Sequence, residues 1–548
     1  MKPSAAVYLA TLGLAFLLPV AAIPALINTP WFGVTDDKLI VLVLVVAWLA
    51  LGRRALPTRY EARLLLPTVV LIGVCVASAA MAPRDYLTEA ARYVARLVAA
   101  GFVMLVALRV GNPRGVLWAI AVGAGVSGLL GIGEALHVGA LQPVLALFKV
   151  APTRVGGELR VSGSFQYATI ASMYFEMVTP LALMLAATTR RGWLQVLGGG
   201  IAIVCTANVV LSLTRAGMLT LLVLYAIVLG VAARSGWRKT LGPAIAGAAA
   251  LLLGTGVLFL QNPVFDLRLV SESDADWYGA VYQAPAALQV SSNQVSTVDL
   301  DVRNAGRITW TNSGNHPFAL GYRWLSSDGS GVLDVPPAEV QLTHDVEPGE
   351  SIHLQADLSV PNLPTGSYRL DWGMLQRDVL QFYERGWADA ETRVLVDNPA
   401  GGTMPTVTER DDGEAPWVVG RLDLWSAALR LAAAHPMLGV GPDNFRHFYG
   451  AEFGLAAWDE RVGANNLYLE VLADLGLLGL VAFLWVVVEP LRSAARRLKD
   501  PVAFGIALAL GAFLLHGLLD SFLAFTPTVL LFWLILGLAQ KPHVSGRW

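Results

Sequence analysis

The sequence has few charged residues and almost no cysteine. Only 15% of its 548 residues are charged and 55% are hydrophobic, whereas an average soluble domain has roughly 25% charged residues. The net charge of −2 gives no sign of a nucleic-acid partner. The two cysteines, Cys75 and Cys205, lie inside apolar runs, so we interpret them as small buried residues. This composition excludes an ordinary soluble domain and a disulfide-stabilised scaffold.

Several signatures of catalysis are also missing. The sequence contains no phosphate-binding loop of the Gly-x-x-x-x-Gly-Lys type and no Gly-x-Ser-x-Gly turn. It has no zinc-type Cys/His spacing and no carboxylates at paired metal-binding spacing. We therefore expect no resident cofactor, no metal and no nucleotide-binding domain.

What the sequence does contain is long apolar runs. A helix crosses a bilayer core with about 20 apolar residues. Candidate spans are 5–27, 38–52, 64–82, 93–109, 115–135, 167–188, 193–212, 216–233, 241–260, 467–489, 501–519 and 522–540. The first run could be a signal peptide, but it is longer than a usual signal core and more spans follow. The predicted fold is a mainly α, polytopic membrane protein of about 12 transmembrane helices.

Basic residues in the short loops predict the orientation of these spans. They recur on one side, at Arg53, Arg54, Arg59, Arg109, Arg114, Arg190, Arg191, Arg234, Arg238, Lys239, Arg492, Arg496, Arg497, Lys499, Lys541 and Arg547. The positive-inside rule assigns these loops and both termini to the cytoplasm. The prediction is a multi-pass protein of the bacterial inner (plasma) membrane. Its periplasmic or extracellular side then holds loops 28–37, 83–92, 136–166 and 213–215 and the stretch 261–466.

The composition changes sharply before the last three spans. From about 290 to 398, apolar and polar residues alternate, as Val298, Leu300 and Val302 do with Asp299 and Asp301. Such alternation is typical of half-buried antiparallel strands and predicts an inserted, extracytoplasmic, immunoglobulin-like β-sandwich. The predicted domain organisation is transmembrane helices 1–9 over 1–260, a connector over 261–289, the β-sandwich over 290–398, a linker over 399–416, an external helical loop over 417–466 and transmembrane helices 10–12 over 467–548.

Two stretches on the predicted external side contain arginines. Ser212–Gly217 includes Arg215 at the junction of two spans, and Arg160–Phe165 begins with a second arginine. An arginine between apolar helices is costly unless an anion accompanies it, and its planar fork suits phosphate oxygens. The alternative for each is an arginine that anchors to lipid headgroups. Arg84 is a further candidate on this side.

Two more stretches lie near the end of the external segment. Residues 417–434 predict an amphipathic helix, whose predicted apolar face is Leu422, Trp425, Leu429 and Ala432. His435–Phe445 follows as a rigid turn that contains Asp443. Asn465–Glu470 then leads into the tenth span, and its Asn and Glu side chains could bind a sugar or a partner hydroxyl. The alternative is helix capping by Asn465 or Asn466, with Gly476 and Gly479 allowing helices to approach closely.

These features resemble the O-antigen ligase and polymerase superfamily of bacterial membrane glycosyltransferases. The resemblance covers most of the chain outside the insert and includes the large external loop. It rests on Arg160–Phe165, Ser212–Gly217, Trp425–Phe445, and Asn466 with Gly476 and Gly479. The ligase pattern is His, then Asn, Ser or Gln, then nine residues, then Gly-x-x-Gly, and Asn466, residues 467–475, Gly476 and Gly479 fit it. Asn465 stands at the position of the histidine, the family's proposed general base, and an amide cannot act as a base near neutral pH.

The resemblance implies a metal-independent membrane glycosyltransferase of cell-envelope polysaccharide or lipopolysaccharide biosynthesis. Its donor would be a glycan on a polyprenyl diphosphate such as undecaprenyl diphosphate, and its acceptor a sugar hydroxyl of a glycan or glycolipid. The predicted catalytic residues are Arg215, Asn465, Glu470 and His447. The predicted substrate-binding residues are Arg160, Arg215, Asn466, Tyr468, Asp443 and Arg84. Candidate bases in place of Asn465 are His447 and Glu470, which are favoured, and then Asp443, His435, His516 and Asp520.

Two other functions stay open at this point. The first is a non-catalytic membrane protein that binds or presents a glycan through its sandwich, which the absence of the histidine favours. The second is a transporter, which is disfavoured because no pair of broken helices recurs in two halves. A proton relay would also need more acidic residues than Glu176 and Glu134, the acidic residues within the first nine spans.

Overall fold

The computed structural model describes residues 3–20, 27–28, 33–34, 36–51, 56–149, 152–271, 274, 276–410, 419–455 and 458–541. Arg53, Arg54, Arg547, half of loop 28–37 and residues 411–418 lie outside the described residues. The helices are α1 Pro3–Leu17, α2 Asp36–Leu49, α3 Arg59–Met81, α4 Leu87–Arg109, α5 Pro113–Ala135, α6 Gln142–Leu145, α7 Ala168–Thr188, α8 Gly192–Leu211, α9 Arg215–Ser235, α10 Arg238–Gln261, α11 Pro263–Val270, α12 Arg421–Ala434, α13 Phe445–Phe448, α14 Leu467–Ala495, α15 Pro501–His516 and α16 Thr526–Ala539.

Many of these helices are long and apolar enough to cross a membrane. Within the described part of the chain there are eight such helices, namely α3, α4, α5, α7, α8, α9, α10 and α14. Shorter apolar helices lie at Ser4–Leu17, Pro501–His516 and Thr526–Ala539. Each predicted span overlaps one helix, so the multi-pass helical class is confirmed, whereas the count of twelve spans stays a prediction.

The membrane helices pack around α7. This helix contacts α5, α8, α9, α10, α15 and α16, and its residues from Ile170 to Ala186 are buried without a break. Apolar side chains from the other helices join it in one continuous core. Because α7 is enclosed on all sides, a charged residue within it needs a partner inside the bundle.

The insert contains two sheets. One has the strand order β11-β7-β5, and the other has the order β15-β9-β8-β12-β14-β6. In the second sheet β10 also pairs with β8, and β13 pairs with β12. The predicted alternation is confirmed in β7 and in β11, where every second residue is buried. That the two sheets form an immunoglobulin-like sandwich stays a prediction. The strands are β1 Ile27–Asn28, β2 Gly33–Val34, β3 Arg154–Val155, β4 Glu158–Leu159, β5 Ala280–Gln283, β6 Ala287–Ser291, β7 Val295–Asn304, β8 Phe318–Leu325, β9 Gly331–Leu333, β10 Ala338–Gln341, β11 Ser351–Ser359, β12 Gly366–Gln376, β13 Leu380–Gln381, β14 Ala390–Asp397 and β15 Val407–Glu409.

The sheets extend beyond the predicted range of 290–398. β5 lies in the predicted connector, where β6 also begins, and β15 lies in the predicted linker. The connector further contains α11, and its Val264 and Trp277 belong to the apolar core of the sheets. These strands have only three to five residues, which is too short for alternation to identify them.

The amphipathic helix α12 buries a different face from the predicted one. Leu422 and Leu429 are exposed, whereas the buried residues are Leu424, Ala427, Ala428, Leu431 and Ala432. This face packs on α14. The prediction was right for Ala432 and wrong for Leu422 and Leu429. It failed there because α12 has leucines on two sides, and their spacing does not decide whether Leu422 and Leu429 or Leu424 and Leu431 are buried.

α14 is broken at Gly476, which has a φ of 66° and a ψ of −168°. The backbone freed by the break pairs with the turn that follows α12. Its bonds run from Val440 N to Ala473 O at 3.0 Å, from Gly441 N to Asp474 O at 2.9 Å and from Leu477 N to Pro436 O at 2.8 Å. Irregular backbone at membrane depth is tolerated only where other groups satisfy it, so the turn and the broken helix form one unit.

We expect Gly476→Ala to destabilise the protein. An added Cβ would lie 2.3 Å from the carbonyl carbon of Met437, and this region of φ and ψ costs other residues about 1–3 kcal/mol. The matched control is Gly511→Ala in α15, where an added Cβ meets nothing within 4 Å. Thermal unfolding of the two variants in detergent checks the prediction, and equal midpoints would contradict it.

Candidate functional site

The loop between α6 and α7 is fixed by a buried carboxylate. Glu134, in the last turn of α5, accepts hydrogen bonds from the backbone amides of Ser162 at 3.2 Å and Gly163 at 2.8 Å. Its other oxygen accepts from the ammonium of the buried Lys149 at 2.5 Å. Because the pair is buried and every oxygen has a donor, it holds this loop in one conformation. The conformation sets the position of Arg160.

Arg160 joins the first two sequence motifs. Its Nε donates to the carbonyl of Ser212 at 3.0 Å, and its Nη2 donates to Thr214 Oγ1 at 3.2 Å and to Thr169 Oγ1 at 3.4 Å. Arg160–Phe165 and Ser212–Gly217 therefore contact each other. Burial of the guanidinium lowers the pKa of Arg160 to about 10, so the side chain is still charged at neutral pH.

Three more arginines lie around Arg160, and we call the four the arginine cluster. Arg215 begins α9 and donates through Nη1 to the carbonyl of Ser271 at 3.1 Å. Arg268, in α11, has a buried Nε that has no hydrogen-bond partner among the described residues. Burial and the charges of Arg160 and Arg215 lower the pKa of Arg268 to about 9. Arg421, at the start of α12, adds its positive charge to Arg160 and Arg268. Four like charges at one place favour an anionic ligand.

Asp520, between α15 and α16, is an acidic group beside Arg160, and Asp274 is another beside Arg268. Burial raises the pKa of Asp520, and the nearby charges of His516, Arg421 and Arg160 oppose that shift. The same loop is bonded to the start of α14, because Ser521 Oγ donates to Glu470 at 2.6 Å. Glu470 also accepts from the backbone amide of Ala464 at 2.9 Å. The site therefore contains a carboxylate next to the cations.

A carboxylate–histidine pair lies beneath the cluster, inside the helix bundle. His516 Nδ1 lies 3.0 and 2.9 Å from the two carboxylate oxygens of Glu176, and both side chains are fully buried. Ser172 Oγ donates to Glu176 at 2.7 Å, while Nε2 of His516 is buried without a hydrogen-bond partner. Gly217 shows why Ser212–Gly217 needs a glycine: a Cβ there would lie 2.5 Å from Glu176 Oε1. The first turn of α9 thus lies directly over the pair.

His447 belongs to a different network. Its Nε2 lies 2.6 Å from Glu89 Oε2, and its ring stacks on Tyr86 with centroids 4.2 Å apart. The side chain is buried, so His447 is not an exposed loop histidine. Arg446 pairs with the same Glu89, and Arg84 is exposed in the short turn before α4. No contact described for these residues joins them to the arginine cluster.

Asn466 serves as the N-cap of α14. Its Oδ1 accepts from the backbone amides of Tyr468 and Leu469 at 3.0 Å each, and its Nδ2 donates to the carbonyl of Leu518 at 2.9 Å. The capping alternative is therefore confirmed for this residue. The hydroxyl of Tyr468 donates to the carbonyl of Leu514 at 2.9 Å. Both side chains are thus engaged within the protein.

Asn465 and Asp443 occupy strained turns beside these groups. Their φ angles are 49° and 64°, in the left-handed region where Asn and Asp are the commonest residues after glycine. The carbonyl of Asn465 accepts from Trp425 Nε1 at 3.4 Å. The amide of Asp443 donates to Asp474 Oδ2 at 3.0 Å, and burial raises the pKa of Asp443. Both turns are therefore held against α12 and α14.

Sequence reasoning missed two arginines and one pairing. Arg268 lies in the predicted connector and Arg421 in an amphipathic helix, where an arginine ordinarily means a solvated face. Glu176 was visible as an acidic residue within an apolar span. Its partner was not, because His516 lies 340 residues further along the chain.

One comparison with known proteins gives a match. The family model for O-antigen ligase matches residues 379–484, whereas no curated protein matches the chain significantly. The matched stretch runs from the last strands through α12 and the turn that follows it. It ends in α14, beyond Gly476 and Gly479. The match confirms the resemblance of this chain to the O-antigen ligase and polymerase superfamily of membrane glycosyltransferases.

Proposed function

We propose that the chain transfers a glycan from a polyprenyl diphosphate, such as undecaprenyl diphosphate, to an acceptor sugar hydroxyl. The observation that carries this proposal is the arginine cluster, which gathers guanidiniums from four separate segments beside the carboxylates of Asp520 and Asp274. The planar guanidinium group of an arginine can donate two parallel hydrogen bonds to the oxygens of one phosphate. The unpartnered Nε of Arg268 offers one more donor to such a ligand.

In this reaction the acceptor oxygen attacks the anomeric carbon of the donor. The bond from that carbon to the diphosphate oxygen breaks, and the lipid diphosphate leaves with the electron pair. Negative charge develops on the leaving group, where preorganised cations stabilise the transition state. We propose that Arg215 and its neighbours supply this positive charge, so that the transfer is metal-independent. The proton of the acceptor hydroxyl passes to a base.

Several acidic or basic groups are candidates for the role of base. Sequence reasoning favours His447 and Glu470, but the first is bonded to Glu89 and the second to Ser521 and Ala464. Asp520 is the carboxylate whose charge acts directly on Arg160. We therefore add Asp520 to the favoured candidates, ahead of His435 and Asp443. General-base assistance is worth about 10²–10⁴ in rate.

The direct test supplies purified protein with a lipid-linked oligosaccharide and candidate acceptor glycans. Release of polyprenyl diphosphate together with a lengthened acceptor is the expected result. Release without any acceptor product would indicate hydrolysis only. No release with any acceptor would favour the other candidate, a non-catalytic membrane protein that binds or presents a glycan, which Asn465 supports.

We expect Arg215→Ala to lower the transfer rate by at least about tenfold. Charge-assisted hydrogen bonds contribute roughly 1.5–3 kcal/mol each, and 1.36 kcal/mol is one decade in rate. Arg215→Lys keeps the charge but loses the paired hydrogen bonds of the guanidinium group, so its rate should lie between those of wild type and Arg215→Ala. Arg160→Ala should have a weaker effect than Arg215→Ala. The control is Arg191→Ala, an exposed arginine at the start of α8. Full turnover by Arg215→Ala would remove this residue from the site.

Restoring the family's histidine gives a second expectation. Asn465→His should raise turnover, because a neutral imidazole can accept the proton of the acceptor hydroxyl. The gain should appear as pH rises through about 6.5, the ordinary histidine pKa, since only the deprotonated ring is a base. Rates measured between pH 5 and 8 on wild type and variant check this. An unchanged profile, together with full activity of His447→Ala and Glu470→Gln, would count against a ligase-like base.

The orientation predicted from the basic loops puts this site on the periplasmic or extracellular face of the inner membrane. Both native cysteines are buried, so a new cysteine can be labelled against a low background. Ser330, in the turn between β8 and β9, and Lys499, between α14 and α15, are exposed. We expect an impermeant thiol reagent to label Ser330→Cys in intact cells and Lys499→Cys only after lysis. The reverse pattern would overturn the orientation.

A further inference from the structure

A large cavity lies where the membrane helices meet the sheets, and we call it the seam cleft. Its volume is about 820 Å³. One wall consists of the β3–β4 hairpin, with Arg154 and Glu158, and of α11, with Asp266. The opposite wall is the loop before β8, with residues such as Thr311 and Asn315. Both structural parts of the chain therefore contribute to one cavity.

The walls of the seam cleft are packed against each other at its base. An added Cβ at Gly157, in the hairpin, would lie 2.8 Å from Gln376 Nε2 and 3.6 Å from the Cβ of His316. Val264 of α11 lies in the apolar core of the sheets. These contacts hold the sheets on the membrane helices, so the cleft is a preformed cavity and not a gap between two loosely joined parts.

The chemistry of the seam cleft suits an oligosaccharide. Its walls combine carboxylates, guanidiniums, hydroxyls and amides with several apolar side chains, so hydrogen-bond donors and acceptors are both present. A polyanion would favour a wall of uniformly positive charge, and a lipid chain would favour an apolar wall. A hydroxyl-rich glycan needs donors and acceptors together. The volume also falls in the range of about 300–1,000 Å³ that is usual for ligand sites.

Two segments connect the seam cleft directly to the arginine cluster. Glu158 lines the cleft and Arg160 follows two residues later, which is about 7 Å along an extended backbone. Asp266 lines the cleft and Arg268 follows two residues later in α11. Val264 also lines the cleft and lies one helical turn before Arg268, on the same side of α11. That helix is thus a shared wall between the cleft and the cluster.

We propose that the seam cleft binds the acceptor glycan and presents its hydroxyl to a donor held at the arginine cluster. This proposal rests on the proposed transferase function and adds to it the position of the acceptor. The inserted sheets then form half of the acceptor site. Substitutions in the cleft should affect acceptor binding and leave donor binding unchanged.

The experiment uses the full chain in lipid nanodiscs and two probes. The first probe is a printed array of bacterial surface oligosaccharides, and the second is undecaprenyl diphosphate. Thr311→Trp fills the cleft from an exposed position. Asp266→Asn removes the negative charge of this side chain with little change of its shape. The matched control is Gln355→Trp, at an exposed position of β11 that does not line the cleft. Thermal unfolding of each variant shows whether the fold is intact.

We expect both cleft variants to lose glycan affinity by about tenfold or more. Asp266→Asn removes one charged hydrogen bond, whose loss has an effect of this size, and Thr311→Trp occupies space that the glycan needs. Their affinity for undecaprenyl diphosphate, and both affinities of Gln355→Trp, should stay at the wild-type values. The proposal is overturned if wild type binds no glycan on the array, or if the cleft variants bind as the control does. Glycan binding by wild type without any binding of undecaprenyl diphosphate would instead support the cleft and remove the transferase function.

Discussion

Mutual repulsion among four partly buried arginines is the constraint on which the rest of this site depends. Burial and neighbouring positive charge already lower the pKa of Arg268 to about 9, which shows that the charged state is held against a cost. The cost of keeping these arginines charged is partly offset by the backbone carbonyls of Ser212 and Ser271 and by the carboxylate of Asp520. These partners come from loops at the ends of α8, α11 and α15, so the cluster exists only when those helix ends converge.

Polar contacts inside the apolar helix bundle bring these helix ends together. The Glu134–Lys149 pair fixes the loop that carries Arg160. The Glu176–His516 pair joins α7 to α15 directly below Arg215, with Gly217 leaving room for the carboxylate. Without side-chain partners, either carboxylate would be too costly to bury in a membrane. Both ionisable pairs therefore support the arginine cluster.

The sequence predicted those parts of the molecule that depend on periodicity alone. Apolar runs located the helices, and alternation located β7 and β11. The buried face of α12 depends instead on how close α14 can approach, and the short strand β6 depends on a parallel pairing with β14. Arg160 and Arg215 were predicted separately, but their meeting through Thr214 and Ser212 was not. Contacts between residues far apart in the chain leave no recognisable spacing in the sequence. The places of Arg268 and Arg421 in the cluster, and the partner of Glu176, were therefore not predicted.

The short helix α11 explains why the insert occurs at this position in the chain. Asn262 ends α10 and caps α11, because its Oδ1 accepts from the amides of Val264 at 3.0 Å and Phe265 at 3.1 Å. The cap fixes the direction in which α11 leaves the membrane helices. Arg268 and Val264 lie one helical turn apart on the same side of α11. Arg268 adds its charge to the cluster, while Val264 enters the core of the sheets. A domain attached through this helix cannot move without moving Arg268, so the position of the sheets and the charge of the site are physically coupled.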